Sequence, residues 1–395
     1  MILAQNGNIG VAMRMGGSLG GEPAGALSEA ERLDRLRLIR SENVGPITFR
    51  RLVEQFGSAR RALAVLPDLA RRGGRKDPVR LCSPAEAERE IKDLERLGGS
   101  LIAAGEPGYP LALAHIEDAP PLLSLLGERS MLERPAVGVV GARNASIGGR
   151  RLAQAIAADL GRAGFVVVSG LARGIDTAAH EGSLSTGTIA IVAGGVDSIY
   201  PRENDSLYKR IVGCGAVVSE MPLGTVARAR DFPRRNRLIS GLSRGVVVIE
   251  AGAKSGSLIT ARMALDQGRE VFAVPGSPLD PRSQGANDLL RQGAILTESA
   301  ADVLGVLSEL SKPSLAEPQS IEFPTTYREL TDETDAERAR HRVEEMLSPV
   351  PVTVDEVLRN CQISPPVLLL VLLEIELAGR LERHPGHRVS LIQRG

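Results

Sequence analysis

The chain has no tryptophan and only six phenylalanines, so a ligand with flat rings would find few stacking partners. It has three cysteines, Cys82, Cys214 and Cys361, too far apart for a disulfide framework or a metal motif. Such sparse cysteine use points to a reducing cytoplasm. The five histidines are scattered, without a hydrolase elbow or a zinc spacing. Neither sign of charge is in excess, since 48 Lys and Arg balance 48 Asp and Glu. Charge over the whole chain therefore does not announce a nucleic-acid binder. The apolar run VLLLVLL from Val367 is too short to span a bilayer, so no membrane association is expected. A charged segment followed by an apolar one is missing from the N-terminus, and no signal peptide is read there.

What is present is length and alternation. A chain of 395 residues allows two to four domains. Residues 1–27 are rich in glycine and small residues without periodicity, and read as a disordered leader. The span 28–104 reads as helical, with LSEAERLDRLRLIR capped by Ser28 and ITFRRLVEQF after a Val44-Gly45-Pro46 turn. Short helices joined by a glycine turn resemble a helix–hairpin–helix or SAM-like module. Two readings stay open for it: contact with a DNA backbone through Arg50, Arg51 and the run Arg71–Lys76, or a solvated helical cap. From 105 to 311, β-branched runs alternate with helical patterns, which predicts an α/β domain with a Rossmann-like, doubly wound parallel sheet. A linker with Pro313, Pro318 and Pro324 follows at 312–335.

The tail, 336–395, reads as helices followed by LERH-PG-HRVSLI, a wing of two strands about a Pro-Gly turn, and so resembles a winged helix. A helix that enters the major groove needs Arg, Lys, Asn or Gln on its outer face. Here that helix is SPPVLLLVLLEIELAG, with acids and no base until Arg380, and from residue 301 onward there are 16 acids to 10 bases. A protein-docking module fits it better than a DNA reader.

The chemistry gathers in four places. In GARNAS, Gly141 to Ser146, a strand turns into a helix without a GxGxxG, and the next strand ends in Ser169-Gly170-Leu171 with no acid for a ribose. That disfavours a dinucleotide. Arg143 stands instead of the glycines, a forked cation suited to an exposed phosphate. Ser146 either caps the following helix or donates to the same anion. In SGLARGID, a loop that also holds Ser169 and Ala172, Gly170 and Gly174 let backbone approach closely and Arg173 adds charge; Asp176 and His180 just beyond read as structural. DFPRRNRLISGLS crowds Arg234, Arg235, Asn236 and Arg237 directly ahead of a strand. EAGAKSGSLITA ends a strand in Glu250 and opens a helix with Lys254, Ser255, Gly256 and Ser257, another anion site.

From Arg143 through Arg244 there are 14 bases to 8 acids in a chain that is neutral overall. Four anion-binding turns on one sheet edge favour a series of phosphates over one enclosed nucleotide, as in single-stranded nucleic acid. Scarce aromatics argue for binding led by the backbone and tolerant of sequence; Phe232 either stacks on a base or packs beneath its loop. Two alternatives are weighed. A nucleoside-monophosphate phosphoribohydrolase on a similar scaffold would use a PGGxGTxxE motif, absent as such, with Glu220 and Glu250 as paired carboxylates; hydrogen bonding at helix ends and loops is the plainer role for both. A transcription regulator acting through the tail is disfavoured by its acidic helix.

At these motifs, and at VFAVPG with SQGANDLLRQGA downstream, the sequence closely resembles the DNA-processing protein A family (DprA/Smf) over roughly residues 105–297. The resemblance implies a cytosolic, non-enzymatic protein that binds and protects single-stranded DNA in natural transformation and helps to load the recombinase RecA. It implies a homodimer through the Rossmann-like domain, with the helix around Leu289–Leu290 as a candidate face, and no cofactor or metal. DNA contacts carry over to Arg143, the Ser169–Gly174 loop, the Arg234–Arg237 cluster and the Lys254–Ser257 loop.

Overall fold

The computed structural model describes residues 27–310, 333–384 and 386–392. All of the expected leader but Leu27, and residues 312–332 of the expected linker, lie outside them. In the helical module, the Ser28 hydroxyl accepts the Glu31 amide and starts α1 (Glu29–Arg40). Pro46 takes the first position of α2 (Pro46–Phe56), where its missing N–H leaves no bond unmade, and Gly57 ends the helix in the left-handed region at φ 78°. Next come α3 (Ala59–Arg72) and α4 (Pro84–Arg96), the latter opened by a capping box between Ser83 and Glu86.

The sheet has nine strands: β1 (Gly99–Ala103), β2 (Leu122–Gly127), β3 (Ala136–Gly141), β4 (Val166–Ser169), β5 (Thr188–Ile191), β6 (Ala216–Ser219), β7 (Gly245–Ile249), β8 (Glu270–Ala273) and β9 (Ile295–Leu296). Their order is β1-β2-β6-β5-β4-β3-β7-β8-β9. From β6 to β9 every neighbouring pair is parallel, as the alternation predicts. The expectation lacked the antiparallel pair β1–β2, which extends the sheet beyond β6. Both strands are short and apolar like the others, so composition does not reveal their direction. β1 also shows that the sheet starts inside the span read as helical.

The helices that cover the sheet are α5 (Leu111–Ala114), α6 (Ile147–Arg162), α7 (Ile175–Ser183), α8 (Asp205–Cys214), α9 (Asp231–Leu242), α10 (Gly256–Asp266), α11 (Gln284–Arg291) and α12 (Ala300–Leu310). On one face Val137, Val139, Val167, Val247 and Ile249 pack against Ile156 and Leu160 of α6 and Val303 and Leu307 of α12. On the other Val140, Val168, Val246 and Val248 meet Leu238 and Ile239 of α9 and Ala261 of α10. Burial on both faces is why these strands read as continuous Val and Ile runs. After β3 the chain steps outward through β4, β5 and β6, then returns to lay β7 on the other side of β3. The switch point, where a crevice opens outside the strand ends, thus lies between β3 and β7.

The tail contains α13 (Glu333–Met346), β10 (Val352–Thr353), α14 (Val354–Cys361), α15 (Pro365–Leu377), β11 (Leu381–His384) and β12 (Arg388–Leu391), with a three-stranded sheet ordered β10-β12-β11. This is a winged helix. Leu368, Val371, Leu372 and Ile375 of α15 form its own core with Val343 and Val357. Leu373 and Leu377, on the other side of α15, join Leu38, Phe49, Leu52 and Leu66 of the helical module. Among the described residues no single helix is long and apolar enough to cross a membrane.

Candidate nucleic-acid interface

Parallel strands place their carboxyl ends on one edge, and the four turns picked out in the sequence converge there. The Ile175 amide donates to Ala142 O at 3.2 Å, joining the β4–α7 turn to the β3–α6 turn. Gly174, at φ 78°, lies so close to the Ala142 and Arg143 carbonyls that a Cβ would collide with them. The Ser146 amide donates to Glu250 Oε2 at 2.8 Å, tying the β3 turn to the β7 turn across the switch point. Asn236 Nδ2 lies 3.4 Å from Gly256 O, and Gly170 rests against the Arg235 guanidinium. These contacts bring all four motifs together.

Amides in two of these turns are already bound to the chain's own carboxylates. Ser146 caps α6 by accepting the Gly149 amide at 2.9 Å, and its hydroxyl donates to Glu250 Oε1. Glu250 is held at φ 51°, an uncommon conformation for a side-chain-bearing residue, with its carboxyl against the first turn of α6. Of the two roles open to Ser146, capping is the one it performs. In the β4 turn, Asp176 Oδ2 accepts the Gly170 amide at 3.1 Å and the Ala172 amide at 3.3 Å. Asp176 is buried; desolvation pushes its carboxyl pKa up, against the opposing pull of Arg235 and the two amides. The Ser169 hydroxyl donates inward to Val139 O at 2.6 Å. Around α10, Ser255 caps Ser257, and their hydroxyls are 2.7 Å apart. Ser146, Ser169, Gly170 and Ala172 thus build the edge, and their polar groups are engaged within it.

The three arginines expected to act together are on a helix and differ in exposure. Asp231–Leu242 is helical, so a step of one residue turns the side chain by about 100°. Arg235 and Arg237 are each only 5% exposed. Arg235 Nη1 donates to Ile191 O at 2.6 Å. Burial lowers its pKa to about 10, with Asp176 opposing and Arg143 adding to the fall. Arg237 pairs with Glu220, lies 3.3 Å from Asp118 Oδ2, and donates to Asp118 O at 2.8 Å. Arg234 keeps 45% of its side chain exposed and engages Glu220 through Nε at 3.0 Å. The expectation of a surface cluster is corrected accordingly: Arg235 and Arg237 are buried struts, and Arg234 faces solvent.

Exposed cations on this edge are therefore Arg143, Arg234, Lys254 and Arg173, the last in an ion pair with Glu203. The Arg143 guanidinium lies over the Phe232 ring at 5.4 Å, and Arg235 approaches the same ring at 5.9 Å. Tyr200, 54% exposed, meets Phe232 edge-on with ring centroids 5.5 Å apart. Sequence reasoning missed Tyr200; the only signal was an aromatic in the loop after β5. It also passed over Arg228 and Arg230, exposed in the loop ahead of α9. His180 is structural, as expected: Thr188 donates to Val167 O, so His180 Nδ1 is the donor in their 2.8 Å contact. Glu220 and Glu250 both hold neighbouring groups rather than stand free. Among the described residues no cluster of three or more His, Cys, Asp or Glu could hold a metal ion.

Comparison with known proteins places the chain in a family. Residues 100–308 match the family model described as DNA recombination-mediator protein A. Residues 29–92 match a DprA-like N-terminal HHH domain, and residues 328–387 a DprA winged helix domain. The chain is similar to Protein Smf of Escherichia coli K12, 37% identical over 312 residues that cover 75% of this chain and 79% of that one. It is similar to DNA processing protein DprA of Bacillus subtilis, 43% identical over 54% of this chain and 72% of that protein. Its structure resembles that of DprA from Streptococcus pneumoniae, with a TM-score of 0.57 and 36% identity over 69% of this chain and 95% of that one. It also resembles a Helicobacter pylori DNA processing protein A described for its single-stranded DNA binding mode, with a TM-score of 0.50 and 29% identity over 53% of this chain and 96% of that one.

Proposed function

The chain belongs to the DNA recombination-mediator protein A family, and from that premise we propose that it binds single-stranded DNA along the carboxyl edge of its sheet. The observation that carries the reading is the row of exposed cations, Arg143, Arg173, Arg234 and Lys254, above turns whose amides Glu250 and Asp176 already occupy. Anion sites filled from within leave no enclosed seat for one nucleotide, while cations on the rim suit phosphates passing over them. Gly141 and Gly174 let the turns pack closely on one another, Gly256 leaves open space over its turn, and Ser255, Ser257 and Asn236 hold the α10 turn in place. Arg235 and Arg237 support the site from below.

The role is non-enzymatic: protection of incoming single strands in natural transformation and loading of RecA onto them, by a cytoplasmic homodimer paired through the sheet domain. The engagement of Glu220 with two arginines, and of Glu250 with Ser146, supports this over a hydrolytic use of either acid. The chain divides into a helical module, a sheet domain that takes in β1, a linker and a winged-helix module. Substituting Arg143→Ala should weaken binding to any single-stranded sequence several-fold and lower the salt slope by about one. Unchanged affinity and slope in a filter-binding titration would refute the assignment of the edge.

A further inference from the structure

Outside the sheet edge, the two accessory modules cover each other. Leu373 and Leu377 of α15 are fully buried in the helical module, and the polar contacts around them are specific. Asn43 Nδ2 donates to Leu377 O at 3.1 Å, and Arg380 Nη1 donates to Gly73 O at 3.1 Å, setting a cation at the carboxyl end of α3. The Thr48 hydroxyl, in the first turn of α2, donates to Glu376 Oε1 at 2.7 Å. The other oxygen of Glu376 accepts Arg383 Nε at 2.8 Å.

Arg51 completes the cluster. It is half-buried, and its buried Nη1 has no hydrogen-bond partner. Burial and the neighbouring Arg383 lower its pKa, while Glu376 opposes the fall. A carboxylate from another module therefore lies beside a hydroxyl and a cation with a donor to spare. The same module also carries the exposed Arg71, Arg72 and Lys76, of which Arg71 pairs with Asp68.

We propose that the docked tail masks a second phosphate-backbone contact on the helical module, with Glu376 standing beside Thr48 and Arg51 where a nucleic-acid phosphate would bind. This surface is separate from the sheet edge and does not depend on it. While α15 is docked, the helical module cannot use these groups on DNA, and α15 cannot enter a groove. Lifting the tail frees Thr48 and Arg51 from Glu376.

Gly73 offers a clean way to lift it. Its φ of −71° suits any residue, but a Cβ would collide with the Glu374 carbonyl of α15. Gly73→Val in the full chain should undock the tail without straining α3, and Glu376→Lys should do so by like-charge repulsion from Arg51. Each is made on an Arg143→Ala background, which weakens the sheet edge several-fold, and undocking is read as a larger hydrodynamic radius. Binding to a single strand and to a duplex of equal length is then titrated. We expect at least a tenfold gain over Arg143→Ala alone, sensitive to salt and abolished by adding Arg51→Ala. A gain on the single strand alone or on the duplex too supports the mask and tells which form it excludes. An undocked tail with no gain on either, or a tail that both substitutions leave docked, overturns the proposal. Failure of the sheet-edge assignment would appear instead as full binding by Arg143→Ala itself.

Discussion

His180 shows how one buried side chain sets the stability of the edge without touching a ligand. Desolvation, with Arg235 nearby, lowers its pKa from 6.5 to about 3. The folded state thus favours the neutral ring, and this contribution is fully present above pH 6.5 and lost as pH falls from there toward 3. At pH 5 the loss amounts to about 2 kcal/mol. Asp176 works in the opposite direction, since its pKa is raised: its contribution is present below 3.8 and declines as pH rises above that. Comparing the wild type with His180→Gln leaves Asp176 in both proteins and isolates the histidine. Denaturant titrations at pH 7 and pH 5 should show a smaller fall for the variant; equal falls would mean that His180 protonates in the folded protein. The histidine in the motif SGLARGIDTAAH reads as structural, but its partner cannot be read from the motif. That partner is the hydroxyl of Thr188, eight positions on at the start of β5, a contact that local sequence does not express.

At the scale of elements, α9 separates what the sequence makes legible from what it does not. The basic run, its place ahead of β7 and its association with the sheet edge could all be read directly. Its division into buried and exposed arginines could not, because the run contains Pro233 and looks like a loop. Proline at position 233 is in fact in the first turn of α9, where it is tolerated. As a helix, α9 is buried nearly all round from Arg235 onward, Arg237 to Leu242 included, and Arg234, in the first turn, is where it meets solvent. Neighbouring arginines should therefore behave differently. Arg235→Leu removes the charge opposite buried Asp176 and leaves Ile191 O without its donor, at a cost of about 3–5 kcal/mol. Arg234→Ala leaves Glu220 paired with Arg237 and should cost under about 1 kcal/mol. Thermal melts and salt titrations of the two variants check this: Arg234→Ala should lose about one unit of salt slope at nearly wild-type stability. The reverse pattern, with a stable Arg235→Leu and an unstable Arg234→Ala, would show that the buried and exposed arginines of α9 have been exchanged.

For the whole molecule, the sheet followed from periodicity, because strands buried on both faces must be apolar throughout, and the winged tail from its Pro-Gly turn between two strands. The antiparallel β1–β2 pair and the docking of α15 on the helical module did not, since both depend on contacts between distant segments. Net charge was uninformative for a related reason: the basic excess of the edge is balanced by acids elsewhere, so only position along the fold reveals it. That arrangement makes a quantitative demand on binding. If the phosphates meet Arg143, Arg173, Arg234 and Lys254 and little else, four cations on a single strand give a logarithmic salt slope of about −3 per protomer. Arg173 must exchange Glu203 for phosphate to count in full, so Glu203→Gln should strengthen binding at low salt and leave the slope near the same value. With so few aromatics, affinities for oligo-dT and oligo-dA of equal length should lie within a few-fold of each other. Equilibrium titrations between 50 and 200 mM salt on both homopolymers test these demands together. A slope shallower than about −1, or a preference for one base beyond tenfold, would mean that bases rather than the phosphate backbone carry the affinity, and the row of cations would lose its place as the organising feature of the edge.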